Sequence, residues 1–222
     1  MEQREQPHGT RAVIWDIDGT LIDSEPLHFA ALLHACRIHD CPVTAEENDR
    51  MLGLSVLDVW RWLRAERGLA AEFEPWAGEI VRYYVEHVAP AMIRPGVRET
   101  VEGLARRGIP QGCVSTAEHR IVMANLHAIG VFRFMGCVVS REDVTHTKPD
   151  PEPYRLATRL LGVPPERCLA VEDTEVGVAS AKSAGITAVA WPHAMSRSMR
   201  FDAADLVIAD LRELPLEAAW LS

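Results

Sequence analysis

Ala12-Val13-Ile14-Trp15-Asp16-Ile17-Asp18-Gly19-Thr20-Leu21, the first patterned stretch of the chain, reads as a short strand running into an acidic turn. Its leading apolar residues do not alternate with polar ones, which suits a strand covered on both faces, and Asp-Gly is turn chemistry. Working outward, apolar runs of the same kind recur at 112–115, 137–139, 168–171, 187–190 and 206–208. Amphipathic helical patterns fill the gaps at 97–107, 118–129, 153–161 and 175–184. Gly108, Gly130, Gly162 and Gly185 follow them, as helix C-termini prefer. This alternation predicts an α/β fold built on a doubly wound parallel sheet.

One interval departs from the pattern. From Pro26 to Ala89 the sequence carries only helical periodicity, in pieces at 27–37, 44–52, 56–67 and 76–87. It is too long for a crossover and has no strand signal. An α-helical cap domain over 26–89 is therefore expected, inserted into an α/β core of 1–25 and 90–222, with Pro90, Pro95 and Gly96 marking the return. A chain of 222 residues accommodates such a core with a smaller insert.

The bulk composition narrows the classes. A net charge of -9, with no basic cluster beyond Arg106-Arg107 and the scattered Arg61, Arg64 and Arg67, argues against a nucleic-acid partner. No stretch is long and apolar enough to span a bilayer, and residues 1–11 lack the apolar segment of a secretory signal. The five cysteines are odd in number and scattered, so no disulfide framework and a cytoplasmic location are expected. The expected state is a monomer or weak oligomer.

In open α/β sheets, ligands bind outside the carboxyl ends of the strands. The first strand is followed there by Asp16-Ile17-Asp18-Gly19-Thr20, the second by Ser115-Thr116, a later loop carries Lys148-Pro149, and the fourth strand ends at Glu172-Asp173-Thr174. Two carboxylates spaced i, i+2 in an extended segment point the same way. Glu172 and Asp173 add hard oxygen ligands suited to Mg²⁺. A carboxylate facing Mg²⁺ and Lys148 stays ionised and can attack phosphorus, which splits one hard step into two. The Ser115 hydroxyl and the backbone N–H groups around Asp18-Gly19 are placed to neutralise phosphoryl oxygens, with Gly19 allowing close approach. Asp18 would then serve as acid and base.

The ordered set Asp-Ile-Asp-Gly-Thr, Ser-Thr, Lys-Pro and Glu-Asp-Thr-x-x-Gly resembles the haloacid dehalogenase superfamily, in its branch with a helical cap after the first motif. The resemblance spans about Ala12 to Asp210 and implies a Rossmann-like core and an Mg²⁺-dependent phosphoric monoester hydrolase whose partner is a small phosphorylated metabolite. It implies Asp16 as nucleophile and metal ligand. Asp18 would give a backbone carbonyl to the metal and its carboxyl to proton transfer. Asp173 and Glu172 would complete the metal site, and Ser115 and Lys148 would hold the phosphoryl group. Dehalogenases lack the second aspartate, so Asp18 favours phosphate chemistry.

The β-phosphoglucomutases of this branch carry Gly-x-Ser-Arg in the cap. Here the segment is Gly53-Leu54-Ser55-Val56, preceded by Leu52 rather than lysine, and Ser115-Thr116-Ala117-Glu118 lacks a lysine found in mutases. His28 does match the mutases' histidine near the cap hinge. Gly19, Thr116 and His28 thus stand as substrate-binding residues, a phosphatase as the leading function and a sugar-phosphate mutase as the alternative. A phospho-acceptor switch stands further off, because receiver domains have no helical insert after the acidic first strand. Residues 34–41 hold two histidines and two cysteines, but not at structural zinc spacings, and read as a helix end. Trp60 and Trp62 face different sides of their helix, Trp191-Pro192-His193 reads as a wall of the site, and 195–199 reads as an exposed loop.

Overall fold

The computed structural model describes residues 12–44, 46–47, 51, 55–194 and 196–215. The chain divides into two compact units, with breaks between Asp23 and Ser24 and between Val88 and Ala89.

The larger unit is built on one six-stranded sheet: β1 (Ala12–Trp15), β2 (Gln111–Val114), β3 (Cys137–Val139), β4 (Cys168–Glu172), β5 (Thr187–Ala190) and β6 (Leu206–Val207). Its order is β3-β2-β1-β4-β5-β6, and every pairing is parallel. β1 is central, with Ile14 in register with Gly112 on one side and Ala170 on the other. Ala12, Ile14, Val114, Ala170 and Ala188 join Tyr154, Ala157, Val178 and Ala181 in one core cluster. Val13, Trp15, Val171 and Val189, one residue out of phase, are buried as well. Because strand side chains alternate between faces, this sheet is covered on both, which is why its sequences show no alternation.

The helices of this unit are α4 (Val97–Arg106), α5 (His119–Ala128), α6 (Glu152–Leu161) and α7 (Glu175–Ser183). In α6 and α7 the helical period places Tyr154, Ala157, Val178 and Ala181 against the sheet. A buried glutamine closes the polar accounts beneath β1: Trp15 Nε1 donates to Gln111 Oε1 at 3.0 Å, and Gln111 Nε2 donates to Val101 O at 3.0 Å.

The smaller unit is helical: α1 (Glu25–Ile38), α2 (Val56–Arg67) and α3 (Phe73–His87). Ala31, Ala35 and Cys36 of α1, Val59 and Leu63 of α2, and Trp76, Ile80 and Tyr84 of α3 form its buried stripes, at the spacing of a helix face. Ser55 caps α2 by accepting from Asp58 N–H at 3.1 Å. Of the helix expected over 44–52, Glu46, Glu47 and Met51 are helical and most of the rest, including Leu52, lies outside the described residues, as do Gly53 and Leu54. All five cysteines are buried and free. Among the described residues, no helix is long and apolar enough to cross a membrane.

Candidate active site

The ladders continue past the strands: Asp16 N–H donates to Val171 O at 3.0 Å beyond β1, and Ser115 N–H donates to Val139 O at 2.9 Å beyond β2. This brings Asp16, Ser115 and Glu172 to one sheet edge. The chain then turns tightly: Leu21 N–H and Ile22 N–H both return to Ile17 O. Gly19 lies in this turn at φ +84°, a backbone region glycine enters without steric penalty.

Asp16, Glu172 and Asp173 each offer a carboxylate oxygen within 4.8 Å of the others, and all three residues are buried. Lys148 faces them. Its Nζ donates to Asp16 Oδ1 at 2.6 Å, to Glu172 Oε1 at 2.7 Å and to Val114 O at 3.0 Å. All three hydrogens of the ammonium are thereby engaged. Tyr154, fully buried, donates its hydroxyl to the same Glu172 Oε1 at 2.5 Å. Asp16 Oδ2 and Glu172 Oε2 are buried with no hydrogen-bond partner among the described residues.

Three carboxylates around one ammonium leave a negative excess in a place with little water. Burial raises the Asp16 carboxyl well above its usual range; Lys148 pulls it down, but Glu172 and Asp173 push it up again. Burial likewise raises Glu172, against the pull of Lys148. Lys148 shows the complementary shift: burial works against its charge, yet Asp16 and Glu172 outweigh burial and hold it above its ordinary value. A small hard cation fits this donor set, with orphaned oxygens to meet it and excess charge to neutralise. The residues suited to hold it are Asp16, Glu172 and Asp173; the Asp18 carboxylate is not in this group.

Asp18 instead accepts two hydrogen bonds, from Ser115 Oγ at 3.2 Å on Oδ2 and from Asn125 Nδ2 at 3.0 Å on Oδ1. Ser115 Oγ in turn accepts from Ala117 N–H at 3.0 Å, so the hydroxyl expected to hold a phosphoryl group orients Asp18 here. Thr116 is exposed beside it. Gly19 also differs from expectation. Its N–H donates to Ile22 O at 2.9 Å, and a Cβ there would lie 2.5 Å from Asp173 Oδ2. The glycine makes room for the carboxylate. Gly177 acts similarly, because a Cβ on it would overlap the Glu172 carboxylate. His28 belongs to the helical unit, where its ring packs on Tyr84 at 4.4 Å between centroids. Trp60 packs edge-on against Phe73 and donates to Ala71 O at 3.0 Å.

Asn125 and Arg94 had no role in the sequence reading, and His193 entered it only as part of a wall. Asn125 is wholly buried on α5 among Ile121, Val122 and Leu126; a polar residue on that apolar face was its signal. Arg94 donates to Gly19 O at 2.5 Å, Trp191 O at 3.2 Å and Pro192 O at 3.3 Å, with its guanidinium 3.4 Å from the Trp191 ring centroid. Burial lowers it to about 10, against the pull of Asp173, Asp23 and Asp16. Trp191 is thus buried beneath a cation. His193 Nε2 lies 3.1 Å from Asp173 Oδ2. Ser196, in the segment expected to be an exposed loop, is buried because it ties back to His193.

A model of the haloacid dehalogenase-like hydrolase family matches residues 10–185. The chain belongs to that family, in the branch whose helical cap follows the first motif. It is 30% identical over 209 residues to the pyrophosphatase PpaX of Oceanobacillus iheyensis, covering 92% of this chain and 94% of the relative. It is 30% identical over 177 residues to a phosphorylated carbohydrates phosphatase of Thermotoga maritima, covering 79% and 82%. The crystal structure of CbbY from Rhodobacter sphaeroides in complex with phosphate superposes with a TM-score of 0.83 at 28% identity, covering 96% of this chain and 99% of that one.

Proposed function

We propose that the chain is a magnesium-dependent phosphatase that hydrolyses a small phosphomonoester through an aspartyl-phosphate on Asp16. The observation that carries this reading is the state of Asp16: one oxygen fixed by Lys148 at 2.6 Å, the other buried without a hydrogen-bond partner among the described residues. That is a nucleophile held in one orientation with an oxygen left over. Bound Mg²⁺ supplies positive charge to the transferring phosphoryl oxygens.

The residues then divide the work. Lys148 aims Asp16, and its charge together with that of the bound cation favours the ionised carboxylate against burial. Asp16 attacks phosphorus, the ester P–O bond breaks, and the leaving oxygen takes a proton from Asp18. Water next attacks the aspartyl-phosphate, gives its proton to Asp18, and Asp16 leaves as carboxylate with inorganic phosphate released. Asn125 and Ser115 hold the Asp18 carboxyl where both transfers occur. Glu172 and Asp173 complete the metal site. The phosphatase names of the relatives support hydrolysis, and Val56, at the position where mutases carry arginine, offers no charge for a second phosphate.

The test is a phosphate-release panel with and without Mg²⁺. Turnover is expected with the metal and lost in Asp16→Asn; an active Asp16→Asn variant overturns the nucleophile assignment. An isomerised sugar phosphate as the product would establish the mutase instead.

A further inference from the structure

Asp173 is 2% exposed, and side chains of this chain engage both of its oxygens. The Thr20 hydroxyl donates to Oδ1 at 3.4 Å, a long contact. His193 Nε2 meets Oδ2 at 3.1 Å. A carboxylate oxygen only accepts, so Nε2 is the protonated nitrogen of this ring.

The histidine is held firmly. Its backbone N–H donates to Ser196 Oγ at 3.0 Å, and its carbonyl accepts from Ser196 N–H at 3.2 Å. The two preceding carbonyls, of Trp191 and Pro192, accept from Arg94. Trp191 N–H donates to Glu172 O at 2.6 Å, which ties the segment to the strand that carries the acids. On its remaining side stands Gly19, where an ideal Cβ would lie 3.0 Å from Nε2. The imidazole therefore has one orientation, and Asp173 receives its hydrogen bond from a fixed direction.

We propose that His193 is a positioning residue for magnesium, acting through Asp173. The inference rests on the magnesium reading above. Mg²⁺ demands near-ideal octahedral ligands at short distances, so a ligand carboxylate free to rotate binds it poorly. Thr20 alone, at 3.4 Å, is too distant to fix the plane of the group. Partners of metal ligands are typically worth about 10–100-fold in metal affinity.

The experiment is calorimetric titration of Mg²⁺ into the metal-free full chain, with thermal melts of each variant before metal is added. His193→Ala should weaken binding about tenfold or more. His193→Gln, whose amide nitrogen reaches the position of Nε2, should bind within about threefold of the unmodified chain, and His193→Asn, one bond shorter, should behave like alanine. Alanine or asparagine variants that bind as tightly as the unmodified chain overturn the proposal. So does a glutamine variant as weak as asparagine, since the ring would then matter only for packing. If His193→Ala does not fold, the glutamine and asparagine pair decides alone. An unmodified chain that binds no Mg²⁺ overturns the magnesium reading itself, an outcome distinct from binding that ignores residue 193.

Discussion

Asn125 Nδ2 donates to Asp18 Oδ1 across 3.0 Å, joining residues 107 positions apart in the chain. With Ser115 on the other oxygen, the carboxylate is held by one donor on each side. Asn125→Leu keeps the volume and removes the donor. General acid–base catalysis contributes about 10²–10⁴-fold, so misplacing its residue should lower kcat by at least about tenfold. KM should stay nearly unchanged, because Asn125 is buried on α5. Steady-state kinetics on the best substrate of the panel would show the split; an equal effect on KM and kcat would contradict it.

Lys148 is the one cation that touches both Asp16 and Glu172 among the described residues. Lys148→Met leaves two buried carboxylates without their partner, a change of the kind that destabilises by about 3–5 kcal/mol. The carboxyls can relieve it by taking protons. The loss measured by urea unfolding should therefore be larger near neutrality than at mildly acid pH, and equal losses at both would refute the pairing.

The raised carboxyls of Asp16 and Glu172 set a pH dependence for the metal-free chain. The folded state keeps protons that the unfolded chain has released, so stability falls as pH rises from the unfolded carboxyl range, about 4, toward the raised values. Mg²⁺ should offset this penalty. The rise in Tm on adding saturating Mg²⁺ should be greater at about pH 8 than at about pH 5.5. Melting curves at the two pH values, with Mg²⁺ and with chelator, make the comparison.

Gly177→Ala places a methyl group into the Glu172 carboxylate. Overpacking of this kind costs about 1–3 kcal/mol, and the displaced acid should also bind metal less well. A variant that melts and titrates with Mg²⁺ like the unmodified chain would remove Glu172 from the site.

The strand ends were legible because chemistry in a doubly wound sheet collects at one edge. Asp16, Asp18, Lys148, Glu172 and Asp173 could be picked out from residue type and their place after apolar runs. What surrounds them was harder to read. Asn125 sits in an amphipathic pattern that a single polar residue does not break. Arg94 precedes Pro95-Gly96, where the eye finds a boundary rather than a cation. His193 reaches Asp173 only because the segment after β5 folds back, and no periodicity announces that. Residue type likewise assigned Ser115 and Lys148 to a phosphoryl group, while their hydrogens are engaged by Asp18, Asp16 and Glu172. Which acceptor a donor finds is decided by long-range packing.

The strand order has a consequence for how the chain comes into being. β1 is made first on the ribosome, yet its partners β2 and β4 arrive only after the helical unit and much of the remaining chain, and Lys148 meets Asp16 across 132 positions. Closing such long loops is slow and is rewarded late. A nascent or truncated chain that stops before β4 carries the proposed nucleophile Asp16 but neither Glu172 nor Asp173, the residues suited to hold a metal beside it. On the proposed mechanism, turnover is thus a report on completed synthesis: phosphoesters meet a competent catalyst only once nearly the whole polypeptide has been made and closed.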